Sequence, residues 1–339
     1  MKSYSPYKIF INFALVFICI ALFFLIVPGE KYQLDKLLPG SSDPDGMTSS
    51  RIIRPPEISG LAIHPSEEQL FTGDSSDQKS KIIYPDFVRQ TGIEYPNGDK
   101  KLLLPFVRSI ENIRRFNGLS KILHYGDSQL EGDRITMYLR ARMQNEYDGS
   151  RVQEDSTLSE SGIIVENNSQ RGSAGLEFSK DAALINQYLS DDIFPDLIIL
   201  QFGINVVPAK ANSFEYYKNY LIREIRYIQG QLPGVPILII SVSDMGHMLD
   251  GVPTIYSSVA KIARVQREAA KETGTAYFDL LKFMGGTGSF LKWVEDDPPL
   301  MRADFTHFTY SGGALMAEGL ARALVTEVEK HANKRADGK

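Results

Sequence analysis

The chain has 339 residues, 43% of them hydrophobic and 23% charged, which is the composition of a folded protein and long enough for one large domain or two small ones. Its 37 basic and 42 acidic side chains leave a net charge of −5, with no basic stripe interleaved with aromatics, so nucleic acid is excluded as a partner. The single cysteine, Cys19, excludes an intramolecular disulfide and a cysteine metal cluster.

From the N-terminus, the run Ile9 to Val27 is apolar except for Asn12. At about 1.5 Å per residue it just crosses a hydrocarbon core of roughly 30 Å. Lys2 and Lys8 precede it and mixed charges follow, so the positive-inside bias places residues 1–28 as a cytoplasmic N-terminus and uncleaved transmembrane anchor. No small-x-small cleavage site follows the run, which argues against a signal peptide. The remainder is expected outside the cytoplasmic membrane. Residues 29–100, rich in Pro, Gly, Ser and Asp, read as a polar, largely irregular tether.

The pattern changes at Lys101, where the catalytic domain, 101–332, is expected to begin. Helical spacing over Leu102 to Phe116 precedes a buried strand, Ser120 to Tyr125. Then follow a helix Arg134 to Asn145, a strand Leu197 to Gln201, a helix Ser213 to Gln231, a strand Ile237 to Ser241, a helix Thr254 to Thr273, a strand Ala276 to Phe278 and a helix Ser311 to Lys330. Residues 333–339 read as a disordered tail. Such alternation predicts an α/β fold with a parallel sheet and helices on both faces. Ligands of such sheets bind beyond the carboxyl ends of the strands. Ser128 follows one predicted strand and Asn205 another, so both are expected on the same rim.

Gly126-Asp127-Ser128 at the end of a strand, with Asp304-Phe305-Thr306-His307 just before the last helix, reads as a nucleophile and its base. A serine hydroxyl needs a neighbouring base, and histidine is the side chain best matched to that work at neutral pH. Taken alone, Gly-Asp-Ser is ordinary turn chemistry, Asp304 a helix cap and His307 a packed or surface histidine. Their order and strand context carry the reading.

These residues resemble the SGNH, or GDSL-type, hydrolase superfamily. Its four blocks match Gly126-Asp127-Ser128, Gly175, Gly203-Ile204-Asn205 and Asp304-Phe305-Thr306-His307, in the family's order, from about Lys121 to the C-terminus. The wider phrasing, His124 to Gln129, Glu131-Gly132-Asp133-Arg134 and Asp304 to Thr309, is similar to an envelope-anchored bacterial branch. The resemblance implies a three-layer flavodoxin-like sheet, Ser128, His307 and Asp304 as catalytic triad, and an oxyanion hole made by the N–H groups of Ser128 and Gly175 and the amide of Asn205. Gly172 is the other glycine open to that role. Gln129 stands where the family usually has leucine and Val206 where it usually has aspartate.

The expected function is a membrane-anchored serine esterase acting on acyl esters, O-acetyl above all, of cell-envelope glycans, with no metal or organic cofactor. Alternatives are a carbohydrate O-acetyltransferase, a lysophospholipase or thioesterase of the same superfamily, and a non-catalytic glycan-binding protein. Gln129, Arg171 and Asp244 are expected as polar substrate contacts at the rim. His124 reads as a buried, bonded histidine, Glu131 and Arg134 as a solvated pair, Gly285 to Ser289 as a loop, and Trp293 as packing. Asp244 with His247 lacks a third metal ligand.

Overall fold

The strands send alternate side chains into two separate apolar layers, and that alternation sets the architecture. The computed structural model describes residues 91–147, 162–176, 194–209 and 211–336. In chain order they form β1 (Ile93–Glu94), α1 (Leu104–Phe116), β2 (Leu119–Gly126), α2 (Thr136–Tyr147), β3 (Gly162–Ser169), β4 (Leu197–Gln201) and α3 (Glu215–Gln231). After these come β5 (Ile237–Ile240), the hairpin strands β6 (Gly246–Leu249) and β7 (Val252–Ile255), α4 (Val259–Thr273) and β8 (Ala276–Phe278). The helices α5 (Leu280–Met284), α6 (Ser289–Glu295) and α7 (Tyr310–Ala336) complete the described chain.

The main sheet has the order β1-β8-β5-β4-β2-β3. Its five inner and far-edge strands are parallel, in the doubly wound order of flavodoxin-like proteins. Ile122, Leu197, Ile199, Leu238, Ile240 and Phe278 face α1, α2 and α7 in one layer. Leu123, Ile198, Leu200, Ile237, Ile239 and Tyr277 face α3 and α4 in the other. Neither α1, α3 nor α4 has a side-chain N-cap bond. Their hold is the apolar face: Phe106 and Ile110 of α1 and Ile225 and Ile228 of α3 are fully buried, each contributing roughly 1.5–3 kcal/mol.

Several expectations change. The sheet is mixed, because β1 pairs antiparallel with β8, Ile93 opposite Phe278. Glu94 on β1 also accepts from Arg267 Nε at 2.8 Å, so the folded unit starts before Lys101 and within the stretch read as tether. A short added strand covers the β8 edge that would otherwise be open to pairing. The predicted helix from Thr254 begins only at Val259, since the chain first folds into β6 and β7. Asp250 and Gly251 both have positive φ (50° and 78°) at that turn, the conformation that an Asp-Gly hairpin turn requires. α7 continues through Ala336, past Lys330 and into the tail read as disordered. The stretch Gly285 to Ser289 links α5 to α6 through three positive-φ glycines. The predicted anchor, Ile9 to Val27, and the tether up to residue 90 lie outside the described residues. Among the described residues no helix is long and apolar enough to cross a membrane.

The start of α7 is wedged between neighbouring backbones. A Cβ on Gly312 would meet the Leu300 carbonyl oxygen at 1.8 Å, and one on Gly313 the Arg134 carbonyl oxygen at 2.1 Å. Gly312→Ala gains about 1 kcal/mol of helix propensity but collides with backbone that has nowhere to move, which costs roughly 1–3 kcal/mol or more. Urea denaturation of this variant is therefore expected to show a net loss of stability; a stabilised Gly312→Ala would contradict the close approach.

Candidate active site

The turn that carries Ser128 is built on a tightly packed glycine. A Cβ on Gly126, the last residue of β2, would lie 2.6 Å from Leu130 Cδ1 and 2.8 Å from the Gln201 carbonyl oxygen. Asp127 follows in extended conformation and its carboxylate accepts from the Gln129 N–H at 3.1 Å. Burial pushes the Asp127 carboxyl up to about 7, while backbone N–H groups of Gln129, Ile204 and Gly203 pull the other way. Ser128 then opens a 3-10 turn, Ser128–Asp133, kinked at Gly132. The first N–H of such a turn has no acceptor within it. Ser128 Oγ lies 2.9 Å from His307 Nε2.

His307 arrives on the loop between α6 and α7. Met301 and Phe308 form a bridge across its base, and Arg302 N donates to the His307 carbonyl at 2.8 Å. Phe305 at the tip has φ 57°, a left-handed conformation that costs a non-glycine on the order of 1 kcal/mol. Its ring packs edge-on against Phe290 at 5.6 Å, and its carbonyl accepts from Gly246 N at 3.0 Å. Asp304 Oδ2 lies 3.0 Å from His307 Nδ1, and Asp304 Oδ1 accepts from the N–H groups of His307 and Thr306 at 2.9 and 3.0 Å. Burial works against the Asp304 charge, but those N–H groups and the imidazole outweigh it and hold the carboxyl below its ordinary value. A carboxylate on Nδ1–H leaves Nε2 free to accept from the serine hydroxyl, so the relay Ser128, His307, Asp304 can move a proton off the serine.

Asn205 follows β4 on the same rim. It is exposed, and its Nδ2 donates to the Ser173 carbonyl at 2.8 Å, leaving the second amide N–H for another acceptor. Gly203 before it has φ 136°, and a Cβ there would lie 2.9 Å from Val242 Cβ. Gly175 is buried, and a Cβ there would meet Tyr220 Cε1 at 2.5 Å; the glycine is required by that ring rather than by the approach of a substrate. Its N–H points to Ser173 Oγ at 3.3 Å. Gly172 is exposed with φ 76° and open space around it.

Two of the three expected substrate contacts are corrected. Gln129 is 2% exposed and its amide is consumed by the protein: Nε2 donates to Ser243 Oγ at 2.7 Å and to the Thr306 carbonyl at 2.8 Å. Asp244 is fully buried and accepts from Phe290 N at 2.9 Å at the start of α6. Only Arg171, its side chain 81% exposed and 3.5 Å from Glu131, faces solvent. Arg134 does not pair with the Glu131 carboxylate; it donates to the Glu131 carbonyl at 2.8 Å and lies over the Tyr310 ring. Trp293 is packed as read, its Nε1 donating to the Met284 carbonyl at 3.0 Å. His247 packs against Tyr256 in a tilted ring pair with centroids 4.2 Å apart.

Residues 124–315 match the GDSL-like lipase/acylhydrolase family. The chain belongs to that family, and it is an ester-hydrolysing enzyme. Among solved structures it is similar to one described as a peptidoglycan O-acetylesterase in action, at 16% identity and a TM-score of 0.60, covering 70% of this chain and 99% of that one. It is also similar to the acetyl xylan esterase AlAXEase (16% identity, 59% and 96% covered, TM-score 0.42). A third is Axe2, an acetylxylan esterase from Geobacillus stearothermophilus (18% identity, 62% and 94% covered, TM-score 0.43). Comparison with curated proteins found no match.

The lowered pKa of Asp304 has a pH signature. A carboxyl with a depressed folded-state pKa adds stability above its unfolded value, about pH 4, and that stability is lost as pH falls through the folded value. Wild type is thus expected to be more stable than Asp304→Asn at neutral pH, by an amount reduced by the partial exposure of the site, with the difference fading under acid. A stability gap that widens as pH falls, followed by urea denaturation, would contradict this.

Proposed function

We propose that the protein is a membrane-anchored serine esterase that removes short acyl groups, O-acetyl above all, from cell-envelope glycans. The observation that carries the reaction is the Ser128 to His307 to Asp304 relay, 2.9 and 3.0 Å in its two links. Ser128 Oγ attacks the ester carbonyl carbon as its proton passes to His307 Nε2. Negative charge gathers on the carbonyl oxygen, which the N–H of Ser128 and the Asn205 amide stabilise, joined by the Gly175 N–H once it exchanges its 3.3 Å contact with Ser173 Oγ for the oxyanion; one such donor is worth roughly 3–4 kcal/mol. Collapse expels the sugar oxygen, which takes the proton from His307. Water, deprotonated by the same imidazole, then releases the acyl group and restores Ser128.

For the substrate, support comes from the rim and from the fold. Arg171, Glu131 and Asn205 offer exposed polar groups suited to sugar hydroxyls. The likeness to the peptidoglycan O-acetylesterase spans nearly all of that chain. A second reading, a long-acyl lipase, is favoured by the β6–β7 hairpin, where Met248, Leu249, Val252 and Ile255 are exposed beside the loop that carries His307. Hydrolysis of p-nitrophenyl esters of increasing chain length tests both. Acetyl is expected to be turned over fastest, and Ser128→Ala to lower kcat by a factor on the order of 10³ or more. Undiminished turnover in that variant would overturn the nucleophile, and rates rising toward octanoyl would overturn the substrate.

The cellular placement rests on the apolar run Ile9 to Val27 and the lysines before it. The N-terminus is inside, the single span is retained, and the catalytic domain works outside the cytoplasmic membrane. Protease added to cells with an opened envelope and an intact inner membrane should digest the domain and leave a membrane-held N-terminal fragment. A protected domain would reverse the orientation.

A further inference from the structure

Behind the nucleophile turn runs a row of buried polar side chains that the proposed chemistry does not use. Thr136 Oγ1 lies 3.0 Å from His124 Nδ1, and His124 Nε2 lies 3.1 Å from Gln201 Oε1. Gln201 Nε2 lies 3.4 Å from Gln129 Oε1. Gln129 Nε2 closes the row on Ser243 Oγ and on the Thr306 carbonyl, at 2.7 and 2.8 Å. Thr136, His124, Gln201 and Gln129 are each at most 2% exposed.

The far end fixes the direction of every hydrogen. A carbonyl oxygen only accepts, so the Gln129 amide must turn its nitrogen to Thr306. Its oxygen then accepts from Gln201 nitrogen, and Gln201 oxygen accepts from His124 Nε2–H. Nδ1 of His124 is left to accept from the Thr136 hydroxyl, which requires the neutral ring; burial holds its pKa down at about 4. Each amide and the imidazole finds a partner for the groups it turns into the row, so the row is a satisfied and directional network, the kind that holds one arrangement against others. It ends one peptide bond from His307, on a loop whose tip residue is in a left-handed conformation.

We propose that Gln129 is a positioning residue, a buried bridge that fastens the peptide before His307 to the nucleophile turn and so keeps Nε2 in line with Ser128 Oγ. The inference rests on the serine esterase reading and adds a residue to it. Gln129 acts through His307, so losing the bridge should displace the base rather than weaken substrate binding, and a displacement of about 1 Å costs on the order of a hundredfold in rate.

Gln129→Leu removes both donors, whereas Gln129→Glu keeps the shape but offers no N–H to Thr306. With p-nitrophenyl acetate, both variants are expected to lose kcat by about tenfold to a hundredfold while KM stays within about threefold of wild type. Fluorophosphonate labelling of Ser128 should slow by a similar factor. The Gln129→Glu deficit should deepen as pH rises, because its acid form can still donate an O–H to Thr306 and its carboxylate cannot. If the leucine variant fails to fold, the near-isosteric glutamate variant carries the test. Full kcat in the leucine variant, full kcat in the glutamate variant at alkaline pH, a rise in KM that accounts for the whole loss, a loss that matches the fraction unfolded, or a glutamate deficit flat in pH would overturn the bridge. Absence of ester turnover in the wild type would instead sink the reaction reading, and the bridge would then be judged from the labelling rates alone.

Discussion

Buried Asp127 holds the site together, because it fastens the turn after β2 to the end of β4. Its side chain accepts from the Gln129 N–H at 3.1 Å and its own N–H donates to the Gln201 carbonyl at the end of β4 at 3.2 Å, from a position that is 1% exposed. Leaving such groups unpaired in the interior would cost about 1–3 kcal/mol each, so the turn after β2 has little freedom to leave the end of β4. Glycines make the junction possible: Gly126 rests against the Gln201 carbonyl and Gly203 against Val242, and a Cβ at either position would come within 3 Å of its neighbour. Ser128 and Asn205 owe their shared rim to this junction.

The topology adds the second constraint. The chain leaves β2 for β3 on one side and returns to β4 on the other, which opens a crevice at the carboxyl ends of β2 and β4. His307 comes to that crevice from 179 positions downstream of Ser128. Its loop is pinned at one end where Leu300 and Met301 donate to the Trp293 carbonyl, and at the other by the two glycines that let α7 approach Leu300 and Arg134. A packed tryptophan and a pair of helical glycines thus serve the geometry of a histidine they do not touch. The tip is held from the side by Gly246 and by the Gln129 amide.

Elements with strong periodicity were legible in the sequence. β4 and β8 fall where the apolar runs place them, α1 and α3 lie within two residues of their predicted spans, and α7 starts within one residue of its own but runs six residues further. The β6–β7 hairpin was hidden because its apolar residues blend into the helical pattern of α4; the Asp250-Gly251 pair was the signal that marked it. β3 escaped because Glu166, Asn167 and Asn168 make its second half polar, although it pairs along the whole of β2. β1, Ile93–Glu94, is invisible in the sequence because a two-residue edge strand has no period of its own. At the site, block order brings Ser128, His307 and Asp304 into view, yet nothing local in the sequence shows that Gln129 and Asp244 point inward. A polar residue next to a nucleophile looks the same in sequence whether it faces substrate or interior; only the positions of Thr306 and Phe290, far along the chain, decide it.

The central claim is that the acyl group passes through Ser128, and the covalent intermediate itself is the most direct witness. Rapid acid quench of the wild-type protein during turnover of p-nitrophenyl acetate, followed by peptide mass spectrometry, should find one acetyl group on the peptide that contains Ser128, present during the burst and gone once substrate is exhausted. Turnover with no acetylated Ser128 peptide at any quench time, or acetyl held on a different residue, would contradict the account.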